Sequence, residues 1–314
     1  MKKHVPVMLS EVLAHLKPAA DEIYVDGTFG AGGYTSGILD SADCTVVAID
    51  RDPSAMETAK TLKAKYGDRL VFIHGCFGDV EDLLKSAGFE KVDGFVLDLG
   101  VSSMQLDQAE RGFSFRFDGP LDMRMDTSQG RTAADIVNST PEKELADLIF
   151  KYGEERHSRR VASAIITRCR EKKFETTADL ATIVRSVVPR SKDEIDPATR
   201  TFQALRIVVN DELGELERAM EASAKILNPG GRVIFVSFHS LEDSRVKDFL
   251  RRKSGNAPGV SRHMLVQKHA EEALFDLVSK KALQSTEDEA HVNPRARSAR
   301  LRAAIRTEAE AGAA

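Results

Sequence analysis

The chain has 314 residues, 42% hydrophobic and 30% charged, with 21 Gly, 10 Pro, 3 Cys and no Trp. That length holds one large domain or a domain carrying a smaller insertion, and either buries a sizeable core, which excludes a disordered chain or a solenoid. Lys and Arg total 45 against 49 Asp and Glu, a formal charge of −4, so this is no polycationic nucleic-acid coat and any RNA contact must use a local patch.

Short β-branched runs open the chain at Ile23–Asp26, Thr45–Asp50, Leu70–Ile73 and Val92–Leu99. Helix-forming stretches separate them at Pro53–Tyr66, with Asp52 as cap and Pro53 as first helical residue, and at Asp79–Ala87. This alternation predicts a parallel sheet with crossover helices. Residues 102–140 then hold few strand-like runs and many turn formers.

From Thr140-Pro141 the pattern is helical: Leu145, Leu148, Ile149 and Tyr152 form a stripe that Gly153 stops. A second helix is predicted over 156–171, and a third from Thr176 with Leu180, Ile183, Val184 and Val187 on one face. The α/β rhythm resumes near 211 with a helix through Leu213, Leu216, Met220 and Leu227, ended by Asn228-Pro229-Gly230-Gly231. The strand Arg232–Ser237, a helix Leu241–Lys253 and two late strands, Ala273–Ser279 and Ala299–Arg306, complete a mostly parallel sheet with one antiparallel edge strand. The expected division is a sheet domain from 1–105 and 210–306, an inserted all-helical domain at 106–209 and a flexible tail at 307–314.

Polar residues gather where the strands end, which is where open α/β sheets bind ligands. Asp26 runs into a loop with glycines at 27, 30, 32 and 33, so the backbone can turn tightly and approach a ligand. Asp50, 20 residues past Gly30, is placed to accept hydrogen bonds from both hydroxyls of an adenosine ribose, with a solvated turn carboxylate as the alternative. Two nucleoside cofactors suit this arrangement, NAD and S-adenosylmethionine. The dinucleotide fingerprint starting at Gly30 requires glycine at 35, where Thr35 stands, and a carboxylate at Asp26 attracts a sulfonium and repels a pyrophosphate. Phe77 offers either an adenine platform or a core ring. The fourth strand ends in Asp98-Leu99-Gly100-Val101-Ser102-Ser103-Met104-Gln105, a carboxylate, two hydroxyls and an amide.

With these residues, further motifs complete a resemblance that spans nearly the whole chain. They are His4-Val5-Pro6-Val7, Asp50-Arg51-Asp52-Pro53, Arg111-Gly112-Phe113-Ser114-Phe115, Asp118 to Met125, Arg200 to Arg206, Ser237-Phe238-His239-Ser240 and Asn293 to Ala299. The sequence resembles the bacterial 16S ribosomal RNA cytosine-N4 methyltransferases, which implies a Rossmann-like class I sheet with an inserted helical domain and S-adenosylmethionine as cofactor. Carried over by motif, the cofactor contacts are Gly32, Gly33, Tyr34, Asp50, Phe77, Asp98 and Gln105. Tyr34 stands where many relatives have histidine, and Met104 where many have proline.

The reaction so implied is in-line methyl transfer to the exocyclic N4 of a cytidine in 16S rRNA of the small ribosomal subunit. That nitrogen's lone pair is delocalised into the ring, so the site must orient it and accept an N–H hydrogen bond. Asp98 is the first candidate catalytic group, with the Ser102 and Ser103 hydroxyls or loop carbonyls as helpers; a purely cofactor-binding carboxylate is the competing reading. His239 is the next candidate, with a helix-cap contact as its alternative. A cytidine in structured RNA must be unstacked, and the inserted helices are the natural clamp. Arg156, Arg159, Arg160, Arg168 and Arg170 are candidate phosphate contacts, as are Arg295, Arg297, Arg300 and Arg302; pairing with Glu154, Glu155 and Glu171 is the bland reading. Arg111, Arg116 and Arg124 interleave with Phe113, Phe115 and Phe117, and Arg200, Gln203 and Arg206 share one helix face.

Cys44, Cys76 and Cys169 lie far apart with no C-x-x-C, which argues against a disulfide framework or zinc ribbon; no metal is needed. Lys2 and Lys3 precede a stretch interrupted by Ser10, Glu11 and His15, so no secretory segment is expected, and no apolar run approaches the ~20 residues of a membrane helix. A cytoplasmic protein is the expectation. The alternatives are a methyltransferase for another acceptor and a non-catalytic ribosome-binding factor; an oxidoreductase fits least.

Overall fold

A computed structural model of the chain describes residues 6–190, 195–255 and 272–310. His4 and Val5 of the first motif, and 311–314 of the expected tail, lie outside the described residues. In chain order the elements are α1 (Leu9–Leu16), β1 (Ile23–Asp26), α2 (Gly33–Ser41), β2 (Thr45–Asp50), α3 (Ala55–Tyr66), β3 (Leu70–His74), α4 (Val80–Ser86) and β4 (Val92–Asp98). Six helices follow: α5 (Ser103–Asp107), α6 (Ala133–Ser139), α7 (Glu142–Gly153), α8 (Ser158–Glu171), α9 (Thr177–Val187) and α10 (Thr199–Asn210). Then come α11 (Glu212–Ile226), β5 (Leu227–Ser237), α12 (Ser240–Lys253), β6 (Phe275–Leu277), β7 (Leu283–Gln284), α13 (Glu287–Val292) and β8 (Arg300–Arg306). Two compact units result, one of Met1–Gly100 with Gly214–Ala314 and one of Val101–Leu213.

The first unit is a mixed α/β fold on a sheet ordered β3-β2-β1-β4-β5-β8-β6, with β7 also paired to β8. The first five strands are parallel; antiparallel pairing is confined to one edge, where β8 runs against β5, β6 and β7. Alternate residues face opposite sides of a strand. Tyr24, Val46, Ala48, Val96, Ile234 and Val236 pack on one face with α1 to α3, while Val25, Val47, Ile49, Phe95, Leu97, Val233 and Phe235 pack on the other with α4, α11 and α12. Both faces are thus buried, which is why these strands read as continuous apolar runs.

The second unit buries its own core from Phe113, Leu121, Met123, Ile136, Leu145, Ile149, Val161, Ile165, Leu180 and Leu205. Several local expectations change here and in the sheet unit. Helix α3 starts at Ala55 rather than Pro53, although the Asp52 carboxylate does accept from Ser54 N at 2.9 Å. Helix α7 starts with Pro141 at its N-cap position instead of Thr140, and the left-handed residue at its C-cap is Glu154 (φ 52°), not Gly153. Gly153 answers a different need: a Cβ there would sit 2.4 Å from Arg200 O, so its bareness lets α7 and α10 approach. Residues 102–140 contain two short helices, each with a reciprocal capping box, at Ser102/Gln105 and Thr132/Asp135.

Candidate active site

Three carboxylates end three adjacent strands: Asp50 on β2, Asp26 on β1 and Asp98 on β4. Asp26 pairs in register with Ala48 and Val96, so Asp50 and Asp98 each stand two residues further along the strand direction. Their environments differ. Asp26 is fully buried, its Oδ1 accepting from Thr28 N at 3.2 Å and its Oδ2 from Thr35 N at 3.1 Å and Thr35 Oγ1 at 2.7 Å. Expected to face a cationic ligand, Asp26 instead braces the glycine loop and the first turn of α2. Burial pushes its carboxyl up to about 6, against the pull of those hydrogen bonds.

Asp50 receives one backbone N–H on each oxygen, Gly30 N on Oδ2 at 2.6 Å and Asp52 N on Oδ1 at 2.8 Å. A carboxylate oxygen takes about two hydrogen bonds, so each keeps an acceptor site. Its carboxyl is also pushed up to about 6, by burial first. Asp98 is anchored through its backbone, whose N–H donates to Thr28 Oγ1 at 2.6 Å. Its side chain is left over: Oδ1 is buried and has no hydrogen-bond partner among the described residues. Burial, then the nearby charges of Asp26 and Glu242, raise its carboxyl well above the usual range.

The loops around these carboxylates are tightly built. Gly32 has φ +73° and precedes α2; at Gly33 a Cβ would lie 2.3 Å from Pro6 Cγ. Tyr34 is buried and its hydroxyl donates to Val7 O at 2.5 Å, tying the residues before α1 to α2. Phe77 begins a 3-10 turn and packs at the margin of the second core cluster, its Cβ 3.3 Å from where a Cβ on Gly27 would stand. The adjoining Gly78 N donates to buried Glu215 Oε2 at 2.8 Å.

At the end of β5, His239 is the N-cap of α12: Nδ1 accepts from Glu242 N at 3.4 Å, and Glu242 Oε2 accepts from Phe238 N at 2.8 Å. His239 Nε2 lies 3.1 Å from Glu242 Oε1, close enough for an ion pair but not aligned for a hydrogen bond. The ring thus makes the cap contact that was its alternative reading. Ser102 and Gln105, in the second unit, are joined in one capping box, Gln105 N donating to Ser102 Oγ at 3.2 Å and Ser102 N to Gln105 Oε1 at 3.0 Å.

Most of the remaining candidate arginines have other employment. Arg302 and Arg300 converge on buried Asp243, Arg302 Nε at 2.7 Å and Arg300 Nη1 at 3.1 Å, so they form an ion cluster rather than a basic strip. Arg200 and Gln203 donate to Glu154 O and Tyr152 O, closing the C-terminal end of α7, and Arg206 forks onto Glu212 with both bonds at 2.8 Å. Arg111 donates to Arg124 O and Met125 O, while Arg124 grips Asp122. Phe113 is buried and Phe115 stacks edge-on against Phe202, which leaves Arg116 and Phe117 as the exposed members of that cluster.

A family model described as the MraW methylase family matches residues 1–307. This chain belongs to the MraW methylase family. The ribosomal RNA small subunit methyltransferase H of Rhodospirillum rubrum is 58% identical over 309 residues, covering 97% of this chain and 94% of that protein. The protein of that name from Paramagnetospirillum magneticum is 59% identical over 309 residues, covering 98% and 97%. The chain is accordingly a methyltransferase, and an RNA substrate is consistent with its relatives' names.

For this methylase, reading the sequence missed Thr28, Thr35 and Glu215 as the groups that hold the strand-end loops. Thr28 and Thr35 lie inside the glycine motif and were within reach; Glu215 carries no local signal, since its partner is 137 residues away. No described helix is long and apolar enough to cross a membrane.

Proposed function

We infer that this chain transfers a methyl group from S-adenosylmethionine to the exocyclic N4 of a cytidine in 16S rRNA of the small ribosomal subunit. The observation that carries this reading is the match to the MraW methylase family along residues 1–307. The acceptors fit the cofactor: Asp98 Oδ1 is buried and without a partner among the described residues, and Asp50 keeps acceptor sites on both oxygens for a ribose diol. Gly32, Gly33 and Tyr34 supply close-packed backbone after β1, and Phe77 supplies a ring face for the adenine.

When bound, S-adenosylmethionine supplies an electrophilic methyl on a sulfonium. The protein's own task is to present N4 to it. Asp98 as a carboxylate accepts an N4–H hydrogen bond, which draws the lone pair out of conjugation and stabilises the charge that develops as nitrogen is alkylated. Burial and Asp26 disfavour that ionised form, so it gains from any positive charge brought nearby. Ser102 caps α5, and His239 holds the turn after β5.

Nucleoside mass spectrometry of small-subunit rRNA tests the reading. N4-methylated cytidine is expected with the wild-type gene and absent with the deletion or Asp98→Ala. Undiminished modification in the deletion strain overturns the substrate assignment, and calorimetric titration with S-adenosylmethionine against NADH checks the cofactor separately.

A further inference from the structure

We propose that the solvent face of α8 is a phosphate-binding surface for the substrate RNA, a proposal that rests on the function inferred above. Helix α8 buries Ser158, Val161, Ala162 and Ile165 against the core of its unit. Arg159, Arg160, Ser163, Thr167 and Arg170 are all exposed, and at 100° per residue they fall within an arc of about 100°. Arg156, also exposed, extends the charge just ahead of the helix. Along the axis the arc runs for about 16 Å from Arg159 to Arg170.

These arginines are not engaged inside the protein. Among the described residues, Arg156, Arg159, Arg160 and Arg170 have no side-chain hydrogen bond, ion pair or ring contact. In the same unit Arg124, Arg185 and Arg206 each grip a carboxylate, which these four do not. Two of the three acidic neighbours that could neutralise the face do not. Glu155 is buried and accepts from His157 N at 2.7 Å, and Glu171 stands at the far end of the arc without an ion pair among the described residues. Arg168 differs: it donates to Lys172 O at 2.6 Å and lies over the Phe174 ring, so it belongs to the packing and not to the stripe.

Guanidinium forks match phosphate oxygens, and the hydroxyls of Ser163 and Thr167 between them are further donors. The arc holds no aromatic residue, so it offers no base platform. It therefore fixes where the RNA backbone lies and contributes no sequence preference. Each phosphate contact adds about 0.7–0.9 to the slope of log affinity against log salt, which makes the proposal countable.

The test is the affinity of the full chain for deproteinised small-subunit RNA across a salt series, with the triple variant Arg159→Gln/Arg160→Gln/Arg170→Gln. The expected result is a slope shallower by about 2–3, a KM for RNA raised about tenfold or more, and unchanged kcat and S-adenosylmethionine affinity. Arg168→Gln, the packing control, keeps the wild-type slope. A triple variant with wild-type slope and RNA affinity overturns the proposal, as does one whose kcat falls while its RNA binding is intact. The two readings fail separately: a wild-type chain that methylates cytidine N4 while the triple variant binds normally loses only this surface. If the slope falls but no N4-methylcytidine forms, the reaction assignment is lost and the surface stands.

Discussion

The Gly78 amide donates to the Glu215 carboxylate at 2.8 Å, joining the turn after β3 to helix α11. Arg218 holds the other oxygen of that carboxylate at 2.7 Å, and a Cβ at Gly78 would lie 2.5 Å from Glu215 Oε2. The turn that carries Phe77 is therefore clamped from behind. Gly78→Ala has to displace a buried carboxylate and is expected to destabilise the protein by about 1–3 kcal/mol. It should also weaken S-adenosylmethionine binding more than it lowers kcat. Urea unfolding and calorimetry read both; a variant with wild-type midpoint and donor affinity counts against the clamp.

Asp98 and His239 are separable by substitutions that keep local shape. Asp98→Asn retains an acceptor oxygen but loses the charge, and turnover is expected to fall by about 100-fold or more, in the range of general acid–base effects. Asn is a good N-cap, so His239→Asn preserves the start of α12 and should keep kcat within about fivefold. Single-turnover methylation rates decide it. A collapse in His239→Asn at unchanged stability would move the proton-accepting role to the imidazole.

The strand-end carboxylates make stability depend on pH in a defined direction. Asp26 and Asp50 are raised by burial to about 6 from an ordinary 3.8, so the folded chain holds their protons more tightly than the unfolded one. Their contribution is fully present below about pH 3.8 and is lost as pH rises through about 6. Asp50→Asn removes one such group, and wild type should lose up to about 2 kcal/mol relative to the variant between about pH 4 and pH 7. Donor affinity should rise over the same interval, because an ionised Asp50 accepts the ribose hydroxyls more strongly than a neutral one. Denaturation and binding series across pH check both slopes; a pH-independent difference between wild type and variant contradicts the raised acidity.

Asp243 gives the opposite sign. Burial pushes its carboxyl up, but the hydrogen bonds and charges of Arg302 and Arg300 outweigh this and hold it below the usual range. Its stabilisation is present above about pH 4 and is lost as pH falls through its lowered value. Asp243→Ala strands Arg302, whose side chain is only 11% exposed, and should cost about 3 kcal/mol by chemical denaturation, whereas loss of less than about 1 kcal/mol would mean that the cluster is solvated.

How far the sequence could be read depended on the reach of each interaction. The first four strands show through because burial on both faces demands unbroken apolar runs, and their ends agree with the structure to within one residue at Ile23–Asp26, Thr45–Asp50, Leu70–His74 and Val92–Asp98. Carboxylates at three of those ends were legible for the same reason. Helix α6 was not, since seven residues give too few turns for a periodic stripe, although Thr132 and Asp135 carry a capping signal. Long-range pairs left no trace: Asp243 meets Arg302 across 59 residues, so two members of a run of arginines that resembles a nucleic-acid strip serve as its counterions.

Strand β8 sits between β5 and β6, although it follows both in the chain. A ribosome making this protein thus releases Phe275–Leu277 before that segment has any strand to pair with, and the flank of β5 stays unzipped until Arg300–Arg306 emerges. Synthesis interrupted between those points leaves two raw hydrogen-bonding borders at once, the condition under which nascent chains stick to one another.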